Sequence, residues 1–427
     1  MNPFLALLLL LLAIAFFLKV DFIYYVLYVS IALYAWGKWV VPRALGKIRC
    51  ERIFNNHAFW GETVPITIRV HNPNRLSFPW LQIKESVAVQ LRLSRGVNDV
   101  IPLKRRTVVD LKYDVAARKR GLYQIGPMQL TTGDLFGIQP NHKINVSADW
   151  LTIYPRIIPL TQLGFPSRLP FGTISSRQRL FADPARPMGV REFRSGDTMR
   201  QINWKASAHT RNLMVKTHQP AISLETAVLL DLHTDSYTRQ NRLNTIEWAI
   251  QVAASLAAHL IDQRQPVGLS TNGIDPLALG AEGVHFDDDT GRLLRPNPEI
   301  LADNPLQFLP PTIPPRNGRT HLIKILERLA RIETENTVPF TQWANQATLH
   351  LSWGVTVLVI TAKGNTPIFE ALHRMVRVGY NPVLIVVEPD TNFGMVRQRA
   401  KQLGFSAFNI TALPDLDPWR KTQQGAL

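Results

Sequence analysis

The chain has 427 residues, 46% of them apolar, enough to bury sizeable cores in two or three domains and too many for a disordered or fibrous chain. Its 48 basic and 32 acidic residues leave a formal charge of +16, so an acidic or anionic partner is expected. One cysteine, Cys50, excludes an intrachain disulfide and any zinc site built on several cysteines.

Residues 1–44 read as a transmembrane helical hairpin. Pro3 to Leu18 is almost purely aliphatic and aromatic, Lys19-Val20-Asp21 interrupts it, and Phe22 to Val41 is a second apolar run. The second run has about the ~20 residues that a spanning helix needs, and the first is near the ~17-residue lower limit. A cleaved signal peptide fits less well, because no basic residue precedes Phe4 and no small-x-small site follows the first run. Lys38, Arg43, Lys47, Arg49 and Arg52 follow or end the second run, against Glu51 alone. By the positive-inside rule the expectation is an inner (cytoplasmic) membrane protein with two transmembrane helices, both termini and the soluble domains being cytoplasmic.

Residues 45–160 carry alternating stretches, Val64–Val70, Leu81–Lys84 and Thr107–Leu111, separated by turn chemistry at His71-Asn72-Pro73-Asn74 and Arg118-Lys119-Arg120-Gly121. They predict an antiparallel β-sandwich-like domain. Residues 161–223 read as a connector. From 224 to 412 apolar strands at Thr226–Leu232, Val267–Ser270, Val355–Thr361 and Pro382–Val387 alternate with helical patterns, as in an α/β domain with a mostly parallel sheet. A Pro-rich insertion, 273–315, contains Asp287-Asp288-Asp289, and 413–427 forms a tail. The expected fold class is thus multidomain α+β: hairpin, sandwich-like domain, connector and α/β domain.

Within the connector, the polar run from Arg191 to Thr210 has no helical or strand period. Gly196-Asp197 marks a turn, and Ile202 and Trp204 are expected to pin the segment by burial. The pattern Arg191-Glu192-Phe193, Gly196-Asp197, Arg200, Ile202 and Trp204-Lys205-Ala206-Ser207-Ala208 resembles the signature of the prokaryotic family called domain of unknown function 58. Arg120-Gly121-Leu122-Tyr123, Gly133-Asp134-Leu135-Phe136-Gly137 and Ile153-Tyr154-Pro155-Arg156 fit the same family in order. The resemblance implies a membrane protein associated with MoxR-type AAA+ ATPases, with a transglutaminase-like membrane protein as a further partner. It also implies that the α/β domain is similar to the von Willebrand factor A fold.

In that fold an Asp-x-Ser-x-Ser motif after the first strand binds a divalent ion. The corresponding residues here are Asp231, His233 and Asp235, with Lys363 where an acidic group would help. The motif is degenerate, because hard Mg²⁺ asks for oxygen ligands; an Asp-His-Asp transition-metal site, or Asp residues capping a loop, are the other readings. No cofactor is expected beyond such a divalent metal.

No P-loop, dinucleotide fingerprint or nucleophile elbow stands in a strand-to-helix setting, so no catalytic residue is assigned. The expected function is a membrane-anchored interaction or scaffold protein working with a MoxR-type AAA+ ATPase in maturation or assembly of a client complex. Its partner-binding or structural residues are Arg191, Glu192, Arg194, Gly196, Asp197, Arg200, Asn203, Trp204 and Lys205. The alternatives are a metal-dependent hydrolase using Asp231, His233 and Asp235, or a binder of anionic lipid or nucleic acid driven by charge; no specific nucleic acid is expected.

Overall fold

The structure is a computed structural model that describes residues 3–18, 21–93, 97–133, 141–160, 182–194, 199, 202–220, 225–275, 309–389 and 392–416. The Asp287–Asp289 run, the tail beyond 416, and Asp134 to Gly137 lie outside the described residues. The chain divides into two compact units, one running to Pro155 and the other beginning at Arg156.

The first unit opens with helices α1 (Pro3–Leu18) and α2 (Asp21–Ala35), of 16 and 15 residues. At 1.5 Å per residue each is about 24 Å or less, short of the ~30 Å hydrocarbon layer. The second apolar run does not stay α-helical. Its hydrogen bonding passes to a π-helical turn at Trp36–Val40 and then to the five-residue α3 (Val41–Leu45). No helix among the described residues is long and apolar enough to cross a membrane. This overturns the expected fold class with its transmembrane hairpin, and with it the placement of two spans in a cytoplasmic membrane. The described chain is a mixed α/β protein.

Helix α3 belongs to the β-structure that follows it. Val41, Ala44 and Leu45 are buried with Ile68, Val70, Leu81, Ile83 and Leu130. The Asn74 side chain donates to the Ala44 carbonyl at 2.7 Å.

Among the described residues two sheets follow in this unit. One has the order β1-β3-β6, from β1 (Arg49–Ile53), β3 (Thr63–His71) and β6 (Val108–Ala116), all antiparallel. The other has the order β2-β9-β7-β4-β5, from β2 (His57–Phe59), β4 (Phe78–Val87), β5 (Asn98–Leu103), β7 (Gly121–Thr132) and β9 (Asp149–Tyr154), with β8 (His142–Val146) also paired to β7. Strict alternation in β3 sends Val64, Ile66, Ile68 and Val70 to one face. There they meet Tyr123, Ile125, Leu151 and Ile153 of the second sheet and Ile83 and Leu130 beside them.

A buried ion pair sits in this core. The Arg52 guanidinium of β1 donates to Glu85 of β4, to Asp149 at 2.8 Å and to the Ser147 carbonyl at 2.6 Å; the Arg52 and Glu85 side chains are 2% and 0% exposed. Gly126 has φ +101, and a Cβ there would lie 2.5 Å from Arg52 Nη2, so the guanidinium reaches its partners only past a glycine. Burial, modified by Arg52 and Glu85, pushes the Cys50 thiol up to about 12, which makes it a poor nucleophile at neutral pH.

The second unit contains a hairpin of β10 (Ala182–Glu192) and β11 (Met214–Pro220), with α4 (Trp204–Thr210) between them, and a six-stranded sheet. The sheet is built from β12 (Thr226–Leu230), β13 (Val267–Thr271), β14 (Ile313–Arg316), β15 (Thr356–Thr361), β16 (Asn381–Val386) and β17 (Ser406–Asn409). Its order is β14-β13-β12-β15-β16-β17, parallel throughout except for the edge strand β14. Every residue of β12, β13 and β15 is buried, as expected for strands covered on both faces.

Helices α7 (Phe340–Thr348), α8 (Thr366–Val378) and α9 (Phe393–Gln402) share a core with Leu229, Val357, Val359 and Leu384. Helix α5 (Arg242–Asp262) packs on β12, β13 and β15 and against α6 (Arg319–Arg331). Arg328 and Arg331 of α6 hold Asp275 at 3.3 and 3.1 Å. Arg328 also donates to the Pro311 carbonyl at 3.0 Å, so one helical turn fastens the chain on both sides of residues 276–308.

Candidate functional site

The signature segment is a built structure where the sequence reading expected an irregular connector. Val190, Arg191 and Glu192 pair with Lys216, Val215 and Met214 across the hairpin, and the Phe193 amide donates to the Leu213 carbonyl at 2.8 Å. Ile202 bridges to Val215, and the Asn203 amide donates to the Met214 carbonyl at 2.8 Å. The Asn203 side chain then caps α4 by accepting from the Ala206 amide at 3.3 Å, the usual work of an N-cap asparagine. One turn on, the Ser207 hydroxyl donates to the Asn203 carbonyl at 2.9 Å and accepts from the Met214 amide at 2.8 Å. Helix α4 ends at Arg211, in the left-handed region at φ 57.

These bonds divide the motif into an inner and an outer part. Ile202 and Val215 are buried at 4% and 1% exposure. Trp204 is 66% exposed, which corrects the expectation that it pins the segment by burial. The reason is helical geometry. Asn203 and Ser207, four residues apart, face β11 together, and a step of about 100° per residue turns Trp204 and Lys205 away from the strand. Met199, Leu213 and Val190 are also exposed, as are Lys205, Arg194 and Glu192. Arg191 is half-buried and donates to the Glu192 carbonyl at 3.0 Å. Gly196, Asp197 and Arg200 lie outside the described residues. The sequence reading left Ser207 out of the site, although a serine four residues after an N-cap is a signal for bonding back to a main-chain carbonyl.

A second cluster occupies the carboxyl edge of the parallel sheet. The strand order reverses beside β12, so the crevice between the ends of β12 and β15 is where an open α/β sheet places ligands. Here that crevice is closed by hydrogen bonds. Asp231 is fully buried; its Oδ1 accepts from Asn272 Nδ2 at 2.8 Å and from the His233 amide at 3.2 Å, and its Oδ2 accepts from Thr361 Oγ1 at 2.9 Å. Asn272 also donates to the Val338 carbonyl at 3.1 Å and accepts from the Leu232 amide at 2.6 Å, and its own carbonyl accepts from Thr337. Tyr237 donates to the Asp231 carbonyl at 2.6 Å; burial, with Asp231 and Glu388 nearby, holds its phenol well above the ordinary range and so protonated.

His233 is nearly buried and its Nε2 stands 3.9 Å from the exposed Asp235 carboxylate. Glu388, also buried, accepts from the Thr238 amide and hydroxyl at 2.7 and 2.8 Å and lies 3.5 Å from Lys363. Asp231, His233 and Asp235 thus lie along one edge, but the first is consumed by amide and hydroxyl donors. Among the described residues no three His, Cys, Asp or Glu side chains converge on a common point as metal ligands. The donor set does not fit a divalent cation: three of the roughly four lone-pair sites of Asp231 are taken by protein N–H and O–H groups. Asn272, Thr361 and Glu388 were not legible as site residues, since each is a common polar residue at or just past the end of a strand.

At the opposite, amino edge, a cavity of about 880 Å³ is lined by Ile158, Leu160, His259, Arg264, Arg319 and Leu322 among others. Burial lowers the pKa of His259, with Asp262 opposing, and the ring bonds Gln263 at 2.9 Å.

Comparison with known proteins gives one curated relative: over 281 residues the chain is 22% identical to the "Uncharacterized protein YeaD" of Bacillus subtilis (strain 168), covering 61% of this chain and 63% of the relative's length. Solved structures include the CARDB domain of a Pyrococcus furiosus protein, at 13% identity over 25% of this chain and 92% of that one, TM-score 0.20. The E. coli alpha-2-macroglobulin matches at 16% identity over 27% of this chain and 8% of that one, TM-score 0.21; neither likeness is close enough to bear on fold or function. Residues 189–279, which hold the signature segment and the first two strands of the parallel sheet, match the family described as "Protein of unknown function DUF58".

Proposed function

We propose that the chain is an interaction protein that presents the outer face of α4 to an acidic partner, and that this partner is a MoxR-type AAA+ ATPase acting in maturation or assembly of a client complex. The observation that carries this reading is Trp204, 66% exposed on a helix whose orientation is fixed by Asn203 and Ser207. A large aromatic held rigidly in solvent, beside Lys205 and near Met199 in the chain, has the composition of an interface hot spot, where Trp, Tyr and Arg dominate binding energy. The formal charge of +16 favours an acidic partner surface. Under this reading the parallel sheet is similar to a von Willebrand factor A domain, with Asp231 at the end of its first strand serving the fold.

The test is binding of the purified full chain to a purified MoxR-type ATPase from the same cell, with ATP, ADP or no nucleotide. Trp204→Ala is expected to weaken binding by about tenfold or more, equivalent to at least ~1.4 kcal/mol, without changing the melting point, because Trp204 contributes little to the core. Lys205→Glu is expected to weaken it as well. Failure of the wild-type chain to bind in every nucleotide state would remove the ATPase from the proposal.

A further inference from the structure

We infer that the carboxyl edge of the parallel sheet is a metal-independent lock in which the Asn272 amide takes the place a divalent cation would hold beside Asp231. Asp231 is fully buried, and a buried carboxylate must be neutralised or hydrogen-bonded. A cation satisfies it by charge; here it is satisfied by donors, the Asn272 amide and the His233 main chain on Oδ1 and the Thr361 hydroxyl on Oδ2. A metal ion cannot share a lone pair with an N–H. The amide is itself saturated, with one proton on Asp231 and one on the Val338 carbonyl, while its oxygen accepts from the Leu232 amide. Asn272 therefore joins the ends of β12 and β13 and the segment before α7, and Asp231 carries the connection on to β15.

Asn272→Asp would replace both amide protons by acceptor lone pairs, facing Asp231 Oδ1 and the Val338 carbonyl. The new oxygen would stand where the amide nitrogen stood, 2.8 Å from Asp231 Oδ1 and 3.1 Å from the Val338 carbonyl, while Thr361 stays on the other oxygen of Asp231, so the substitution leaves no room for a cation. Acceptor is then set against acceptor in a buried site.

The experiment measures the melting point of the full-length wild type and of Asn272→Asp, in EDTA and in millimolar Mg²⁺ or Mn²⁺, with calorimetric titration of each metal. The wild type is expected to melt at the same temperature in all conditions and to bind no metal at this edge. Asn272→Asp is expected to melt roughly 5–10 °C lower, in EDTA and in metal alike. Wild-type binding of one equivalent of Mn²⁺, lost in Asp231→Ala, would overturn the inference. So would an Asn272→Asp protein that melts with the wild type in EDTA, since the amide donors would then contribute nothing. If Asn272→Asp does not fold, Thr361→Val tests the other carboxylate oxygen: a melting point lowered equally in EDTA and Mn²⁺ supports the lock, and one equal to wild type overturns it.

Discussion

At the scale of single residues, the groups that matter most in the second unit are polar ones sequestered from water. Tyr237 illustrates how such a group ties stability to pH. Its phenol pKa is raised in the folded state by burial and by nearby carboxylates. A raised folded pKa means stability that is fully present below the unfolded value, near 10, and lost as pH rises from there toward the folded value. Tyr237→Phe is therefore expected to be less stable than wild type at pH 8 by about 1 kcal/mol, for the lost bond to the Asp231 carbonyl. Above pH 10 the difference should close by up to about 1.4 kcal/mol per pH unit. Urea unfolding of both proteins at pH 8, 10 and 11 checks this, and parallel pH profiles would show that the phenol already ionises in the folded chain.

At the scale of elements, α4 depends on a few hydrogen bonds more than on buried area, because no residue in it is buried. Ser207→Ala removes the acceptor for the Met214 amide and the donor to the Asn203 carbonyl. Hydrogen exchange at Met214 and Ala206 is expected to accelerate by about tenfold, with the parallel sheet unchanged; an unaltered rate would show that α4 is held by other means. Strands with a clear period were readable in advance: alternation over Val64–Val70 marks β3, and the unbroken apolar run Val355–Thr361 marks β15. Other elements were hidden for physical reasons. Hydropathy registers the apolar character of Phe22–Val41 but not the point where α-helical hydrogen bonding gives way at Trp36. Trp204 read as a burial anchor because transfer energy alone favours burying an indole, whereas its outward direction comes from the partners of Asn203 and Ser207. Asn272 was masked by its position, one residue before a stretch read as a Pro-rich insertion, and its value appears only when β12, β13 and β15 are brought together.

At the scale of the whole molecule, the excess of basic residues acts on encounter more than on the final contact. Binding to an acidic partner is expected to slow on raising the salt from about 50 to 500 mM, with association falling several-fold and dissociation changing little. Stopped-flow or surface-based kinetics separate the two rates; an association rate indifferent to salt would assign recognition to the apolar face of Trp204 alone. Charge also shapes how the first unit assembles. The Arg52 guanidinium belongs to one sheet, while Glu85 and Asp149, its partners, belong to the other. Strand β1 buries no side chain strongly enough to fix its own register by apolar contact, and a slip of one residue would turn Arg52 outward and leave Glu85 alone in the core. Leaving Glu85 unpaired inside the closed core costs about 3–5 kcal/mol, so the penalty falls on packed states in which β1 is out of register. The pair thereby acts once the sheets meet, rejecting packed states in every register but the one that brings the guanidinium to Glu85.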